Sequence, residues 1–225
     1  PGSVFVAIRG ERVDGHDFVA KTAGQGATVA IVDHEVKSDG LPQIVVKDTV
    51  DALGELARYN IVRRRELDGD FDIIGLTGSV GKTTTKDLLS SLLATVGPTV
   101  APVGSFNNEI GLPLTVLAAP DDARFAVYEM GAGKPGDIAY LTAITRPDVA
   151  LVNNIAPAHL ERMGSLPGVA ETKGAIYDAL PADGVAVVNA DDGFAAYFIG
   201  RLHDRRVLRF GIDADADVTA RDIRI

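Results

Sequence analysis

Between residues 73 and 93 the chain reads IIGLTGSVGKTTTKDLLSSLL. An apolar run ends at Leu76, glycines follow at Gly78 and Gly81, and Lys82 precedes Thr83, Thr84 and Thr85. Residues of these types in this order can hold a polyphosphate. Glycines let backbone N–H groups surround phosphate oxygens, the lysine neutralises charge, and the threonine hydroxyl can ligate Mg2+. The usual pattern, G-x-x-x-x-G-K-[ST], wants glycine where Leu76 stands, so this is a variant with Gly78 inside the loop. Its physical requirements still hold: a buried strand, a tight turn, and a helix whose N-terminus aims into the loop. Thr77, Gly78, Ser79, Val80, Gly81, Lys82, Thr83 and Thr84 are therefore expected to hold a nucleoside triphosphate. The alternative is an ordinary strand–turn–helix with a chance Gly-Lys, and the threonines at the helix start weigh against it.

Other polar residues sit where chemistry could be done. Glu129 ends the apolar run FAVYEMGA, and a buried carboxylate is costly unless it is paired or ligates a metal. His159 follows DVALVNNIA in a loop, where a lone histidine is more often a surface or hydrogen-bonding group. Lys173 lies in the helical stretch GVAETKGAIYDAL, where the default is an exposed lysine beside Glu171. Asn189 ends the strand GVAVVNA, and a turn-forming role before Asp191 and Asp192 is nearly as good a reading as a ligand contact.

These residues need a frame. From residue 72 onward, apolar strands (DIIGLTG, FAVYEMGA, DVALVNNIA, GVAVVNA, RVLRFGI) alternate with helical stretches near 82–96, 135–145, 165–180 and 193–201. That rhythm predicts an α/β fold, a doubly wound, mostly parallel sheet covered on both faces. Ligands of such sheets sit beyond the carboxyl ends of the strands, where Thr77, Glu129, Asn154 and Asn189 fall. Ahead of it, VFVAI (4–8), TVAIVD (28–33) and QIVVKD (43–48) read as strands of a small mixed α/β domain, closed by a helix from Thr49 to Glu66. The Gly- and acid-rich LDGDFD (67–72) is the expected linker, giving domains 1–68 and 69–225. The tail DADADVTARDIRI is expected to add a strand pair.

Composition narrows the class. The 225 residues carry a net charge of −9 with 46% hydrophobic residues, enough for a substantial core and against a nucleic-acid or anionic-membrane surface. The one basic run, Arg63-Arg64-Arg65, is expected to sit at a helix end, where cations suit the dipole. There is no cysteine, which excludes disulfides and thiolate metal sites. No apolar run approaches the roughly 18 residues of a membrane span, and no signal peptide is visible, so a cytoplasmic protein is expected; a monomer is expected as well.

The segment TGSVGKTTTK resembles the Mur ligases, the ATP-dependent amide-forming enzymes of bacterial cell-wall synthesis. The similarity continues through SFNNEIGLPLTVL (105–117), YEMGAGKPGDI (128–138), NIAPAHLERMGS (154–165), GVAETKGAIYDAL (168–180) and VVNADD (187–192). PGSVFVAIRGERVDGHDFV is similar to the family's amino-terminal, UDP-binding domain. Order and spacing look like the member that joins UDP-N-acetylmuramoyl-tripeptide to D-Ala-D-Ala. The resemblance implies that Thr83 and Glu129 ligate Mg2+, that His159 joins a second Mg2+ site, and that Lys173 is a carbamylated lysine facing the metal. Lys82 would hold the terminal phosphates, making Lys82, Glu129, His159 and Lys173 the catalytic set. Asn107 and Asn108 would contact the UDP-muramoyl peptide, Asn189 adenine, and Asn154 phosphate or metal-bound water. In the turn GERVDGHDF, Arg9 and His16 are candidates for uridine or pyrophosphate, against the reading of a plain surface turn. The family's third domain has no counterpart, the central domain is cut short and the first starts late. The chain is thus expected to be a fragment, inactive by itself.

The implied chemistry is activation of a carboxylate by ATP to an acyl phosphate, attack by the amine of D-Ala-D-Ala, and expulsion of phosphate. Rival expectations are a diamino-acid-adding Mur ligase, a folylpolyglutamate synthetase, and a non-catalytic ATP-binding module.

Overall fold

A computed structural model describes residues 2–38, 40–68, 70–158 and 160–224. The chain divides into two compact units, 1–56 and 57–225. In the first, β1 (Ser3–Val6), β2 (Ala27–Val32) and β3 (Gln43–Val45) form a parallel sheet in the order β1-β2-β3. A 3-10 turn (Gly15–Phe18) and α1 (Val19–Ala23) connect the first two strands. Its core gathers Ala7, Val19, Ala30, Val32 and Leu41.

Helix α2 (Thr49–Asp68) runs across the division between units, which lies ahead of the acidic stretch 67–72 where sequence composition put a break. Its carboxyl half belongs to the second unit because Ala57 and Ile61 are buried in that unit's core. The basic run at its end does more than face a dipole. Arg64 is buried, donates from Nη2 to the carbonyls of Pro120 and Ala123, and lies 4.2 Å from the centroid of the Phe71 ring. Arg65 donates to Asp148 at 2.6 Å. Truncating Arg64 to alanine strands two carbonyls and a ring face, and should lower unfolding free energy by about 2–4 kcal/mol. Chemical denaturation of both proteins measures the difference.

The second unit is a six-stranded sheet, parallel throughout: β4 (Asp72–Thr77), β5 (Thr99–Val100), β6 (Phe125–Glu129), β7 (Val149–Val152), β8 (Val185–Asn189) and β9 (Arg206–Phe210), in the order β5-β6-β4-β7-β8-β9. The helices are α3 (Lys82–Leu93), α4 (Gly111–Leu117), α5 (Asp137–Thr145), α6 (Leu160–Met163), α7 (Leu166–Asp178) and α8 (Ala195–Arg201). Alternate strand residues divide between two faces. Ile73, Ala126, Tyr128, Ala150, Val152, Ala186 and Val188 join α4, α5, α7 and α8 in the main core. On the other face Leu76, Val127 and Leu151 pack with Leu89 and Leu93 of α3. Cover on that face thins towards β9, where Leu208 is 37% exposed.

After β4 the chain turns to β5 on one side, and after β7 to β8 on the other, so the connections diverge between neighbours β4 and β7. A crevice at such a switch point is where parallel α/β sheets bind ligands. The tail does not add the expected strand pair. Among the described residues it makes one isolated bridge, Phe210 with Val218, because Asp191 draws the N–H groups of Ile212, Asp213 and Ala214 into a turn. No helix of the described residues is long and apolar enough to cross a membrane.

Candidate active site

The four positions named from the sequence lie along the carboxyl edge of the sheet. β4 ends at Thr77, β6 at Glu129 and β8 at Asn189, with Asn153 and Asn154 just past β7. Between β4 and α3 lies the glycine loop. Gly81 has φ of 77°, a left-handed backbone that side chains resist. Gly78 is required by contact, since a Cβ there would lie 2.9 Å from that of Asn153.

Gly81 ends the loop without a side-chain cap on α3. The N–H groups of the helix's first turn therefore have no intrahelical acceptor and point into the loop. The apex is clamped from β7. Asn154 accepts from Val80 N at 3.0 Å through Oδ1 and donates through Nδ2 to Val80 O, while its backbone carbonyl accepts from Ser79 N. Asn153 Nδ2 also donates to Val80 O, at 2.9 Å. Ser79 Oγ donates to Ala156 O and accepts from Ala156 N. The loop is thus shaped by the protein, with Lys82 Nζ resting on Gly78 O at 3.0 Å.

Glu129 is 1% exposed. Its Oε2 accepts from Thr83 Oγ1 at 2.9 Å and its Oε1 from Asn107 Nδ2 at 2.6 Å. A hydroxyl and a carboxylate in contact at the start of α3 supply the oxygen donors that Mg2+ prefers. Lys173 is 2% exposed on α7, and among the described residues its ammonium has no hydrogen-bond partner. Burial, and then the charge of Lys82, push its pKa down to about 8. His159 lies outside the described residues.

Several expected ligand contacts have partners inside the chain. Thr77 is fully buried, and its hydroxyl donates to Met130 O at 2.8 Å. Asn189 donates to Asn153 O and accepts from Asp191 N, so its turn-forming reading is realised. Asn108 Oδ1 accepts from Gly111 N at 2.8 Å, at the start of α4. Thr84 is exposed at the mouth of the loop. In the first unit His16 is buried, with Nδ1 facing Asp14 Oδ1 at 2.7 Å and Nε2 accepting from Asp33 N at 3.0 Å. Arg9 pairs with Asp14 at 2.9 Å and keeps an exposed side chain. Sequence reasoning missed Asn153. Its only signal was the paired asparagines after a buried strand.

The family described as "Mur ligase middle domain" matches residues 76–225, and "Mur ligase family, catalytic domain" matches residues 1–60. UDP-N-acetylmuramoyl-tripeptide–D-alanyl-D-alanine ligase of Escherichia coli is 42% identical over 226 residues, covering 100% of this chain and 49% of the relative. A crystal structure of MurF from Acinetobacter baumannii superposes with a TM-score of 0.89 at 38% identity, covering 98% of this chain and 47% of that one. MurF ligase from Thermotoga maritima in complex with ADP gives a TM-score of 0.86 at 36% identity, covering 98% and 50%. The chain spans about half the length of the relatives it matches.

Proposed function

The chain belongs to the Mur ligase family, and from that premise we propose that its second unit binds the magnesium complex of ATP to activate the carboxylate of UDP-N-acetylmuramoyl-tripeptide for amide formation with D-Ala-D-Ala. The observation that carries this reading is the buried Glu129, held between Thr83 and Asn107 beside the glycine loop. The likeness to D-Ala-D-Ala-adding relatives favours that acceptor over a diamino acid.

When bound, ATP with Mg2+ supplies the phosphoryl group that turns a resistant carboxylate into an acyl phosphate. The protein's part is positioning and charge neutralisation. Lys82 and the open N–H groups of α3 neutralise phosphate oxygens. Thr83 and Glu129 are the metal's oxygen ligands, and Asn107 presents Glu129 by holding one oxygen. His159 is assigned with Lys173 to the second cation. Asn189 would meet adenine through the amide hydrogen and lone pair its internal bonds leave over, and Asn108 the muramoyl peptide. The first unit takes the UDP moiety.

Lys173 is proposed to be carbamylated. Among the described residues this buried ammonium has no hydrogen-bond partner, which is unfavourable, and the nearby Lys82 adds repulsion. A pKa of about 8 leaves roughly a tenth of the amine neutral at pH 7, against about 1 in 2,500 for an ordinary lysine. The neutral amine adds CO2, forming an N–C bond and releasing one proton. The resulting anion suits Mg2+ and removes the repulsion from Lys82.

The test is phosphate release from ATP, using a chain carried to the length of its relatives. Turnover is expected only with both UDP-N-acetylmuramoyl-tripeptide and D-Ala-D-Ala. Turnover with a muramoyl dipeptide and a diamino acid would favour the diamino-acid-adding rival, and ATP binding without turnover the non-catalytic one.

A further inference from the structure

Lys86 is a buried charge that the chemistry above does not use. It lies on α3 one turn beyond Thr83, so the two share a helix face, and it is 1% exposed. Its Nζ donates to Pro102 O at 2.7 Å and Gly104 O at 2.9 Å, with Asp87 Oδ1 at 3.1 Å. A buried ammonium is expensive, and an apolar side chain would fill the same space at less cost. The lysine therefore serves the two carbonyls it binds.

Those carbonyls lie in the loop between β5 and α4, whose Ala101 packs against the sheet and whose later part is held by Asn107 and Asn108. Residues 101–110 form neither helix nor strand, and Val103 and Phe106 are 83% and 57% exposed. The stretch nevertheless delivers Asn107, whose side chain holds Glu129 Oε1 at 2.6 Å and whose carbonyl accepts from Gly131 N at 2.8 Å. Glu129 returns to α3 through Thr83. The contacts close a ring: α3 to the 102–104 turn, the turn to Asn107, Asn107 to Glu129, and Glu129 back to α3.

The geometry points to Lys86 as a positioning residue that ties the 102–104 turn to α3, keeps Asn107 on Glu129 and so orients the carboxylate for the cation. This deepens the proposed function, because it rests on Glu129 being a cation ligand. Lys86 itself touches neither nucleotide nor metal.

The experiment is ADP binding to the 225-residue chain, titrated with Mg2+ and repeated in EDTA. In Lys86→Met the half-saturating Mg2+ concentration should rise about tenfold, the scale of one lost charged hydrogen bond. Affinity in EDTA should stay within about twofold, because Lys82 and the loop N–H groups are intact. Lys86→Arg, which keeps donors for both carbonyls, should restore most of the Mg2+ response. Asn107→Ala breaks the same ring elsewhere, so adding Lys86→Met to it should cost little more. An unchanged Mg2+ response in Lys86→Met, equal losses with and without Mg2+, or additive losses in the double variant would overturn the proposal. Should Lys86→Met not fold, Lys86→Gln carries the test, and failure of both to fold would mark a purely structural lysine. A parent chain whose ADP binding ignores Mg2+ would overturn the cation reading of Glu129 itself.

Discussion

Lys82→Met is expected to weaken nucleotide binding about 100-fold and to slow phosphoryl transfer in the extended enzyme about 1,000-fold, with little change in thermal stability. The asymmetry follows from what Lys82 touches. Lys82 is half-buried, and among the described residues its ammonium makes one hydrogen bond, to Gly78 O within its own loop. Losing it leaves a single loop carbonyl, that of Gly78, without this donor. With nucleotide, the same ammonium is proposed to meet the terminal phosphates, where it would neutralise charge during transfer. Calorimetric titration with ADP and a melting curve of the same variant measure the two halves. A variant that melts early and binds normally would mean that Lys82 is a loop brace.

Lys173→Met is expected to raise stability while slowing turnover at least about 100-fold. The folded state depresses the Lys173 pKa to about 8, so between about pH 8 and 10.5 the unfolded chain holds a proton that the folded one has released. Stability therefore rises with pH across that window. Below about pH 8 the folded chain carries the full penalty of a buried charge that has no hydrogen-bond partner among the described residues. In CO2-free, metal-free buffer at pH 7, Lys173→Met should thus gain about 1–3 kcal/mol in unfolding free energy. The gain should shrink as pH rises from about 8 and vanish near 10.5. Turnover should fall at least about 100-fold, because methionine cannot become an anion that meets the cation. Denaturation at several pH values and phosphate release check both claims. A destabilised variant at pH 7 would mean that Lys173 has a structural partner.

The extent to which the site was legible follows from how local each part is. The glycine loop is one continuous stretch, and strand, turn and helix each leave their own pattern, so Thr83 and Lys82 could be found by spacing alone. Glu129 was legible because an acid at the end of an apolar strand demands a partner, and its place on the same sheet edge as Thr77 and Asn189 followed from parallel strands sharing one carboxyl end. The clamp on the loop was not legible. Asn153 and Asn154 reach Val80 across 73 and 74 residues, and nothing in a pair of asparagines says which carbonyl they will meet. Asn107 was read as a substrate contact, whereas its amide holds Glu129; the two uses call for the same side chain. Helix α4 stayed hidden because Gly111 and Pro113 opened it and drew attention as a motif. The tail alternates like a strand, yet Asp191 captures its backbone first.

The central claim is that the hydroxyl of Thr83 and the carboxylate of Glu129 are two arms of one cation site at the mouth of the glycine loop. Anomalous diffraction from crystals grown with Mn2+ and a non-hydrolysable ATP analogue tests it directly. A peak is expected about 2.0–2.3 Å from Thr83 Oγ1 and from a Glu129 oxygen, as hard-cation coordination requires. Nucleotide bound in the loop with Glu129 still closed on Thr83 and Asn107, and the cation elsewhere, would contradict it.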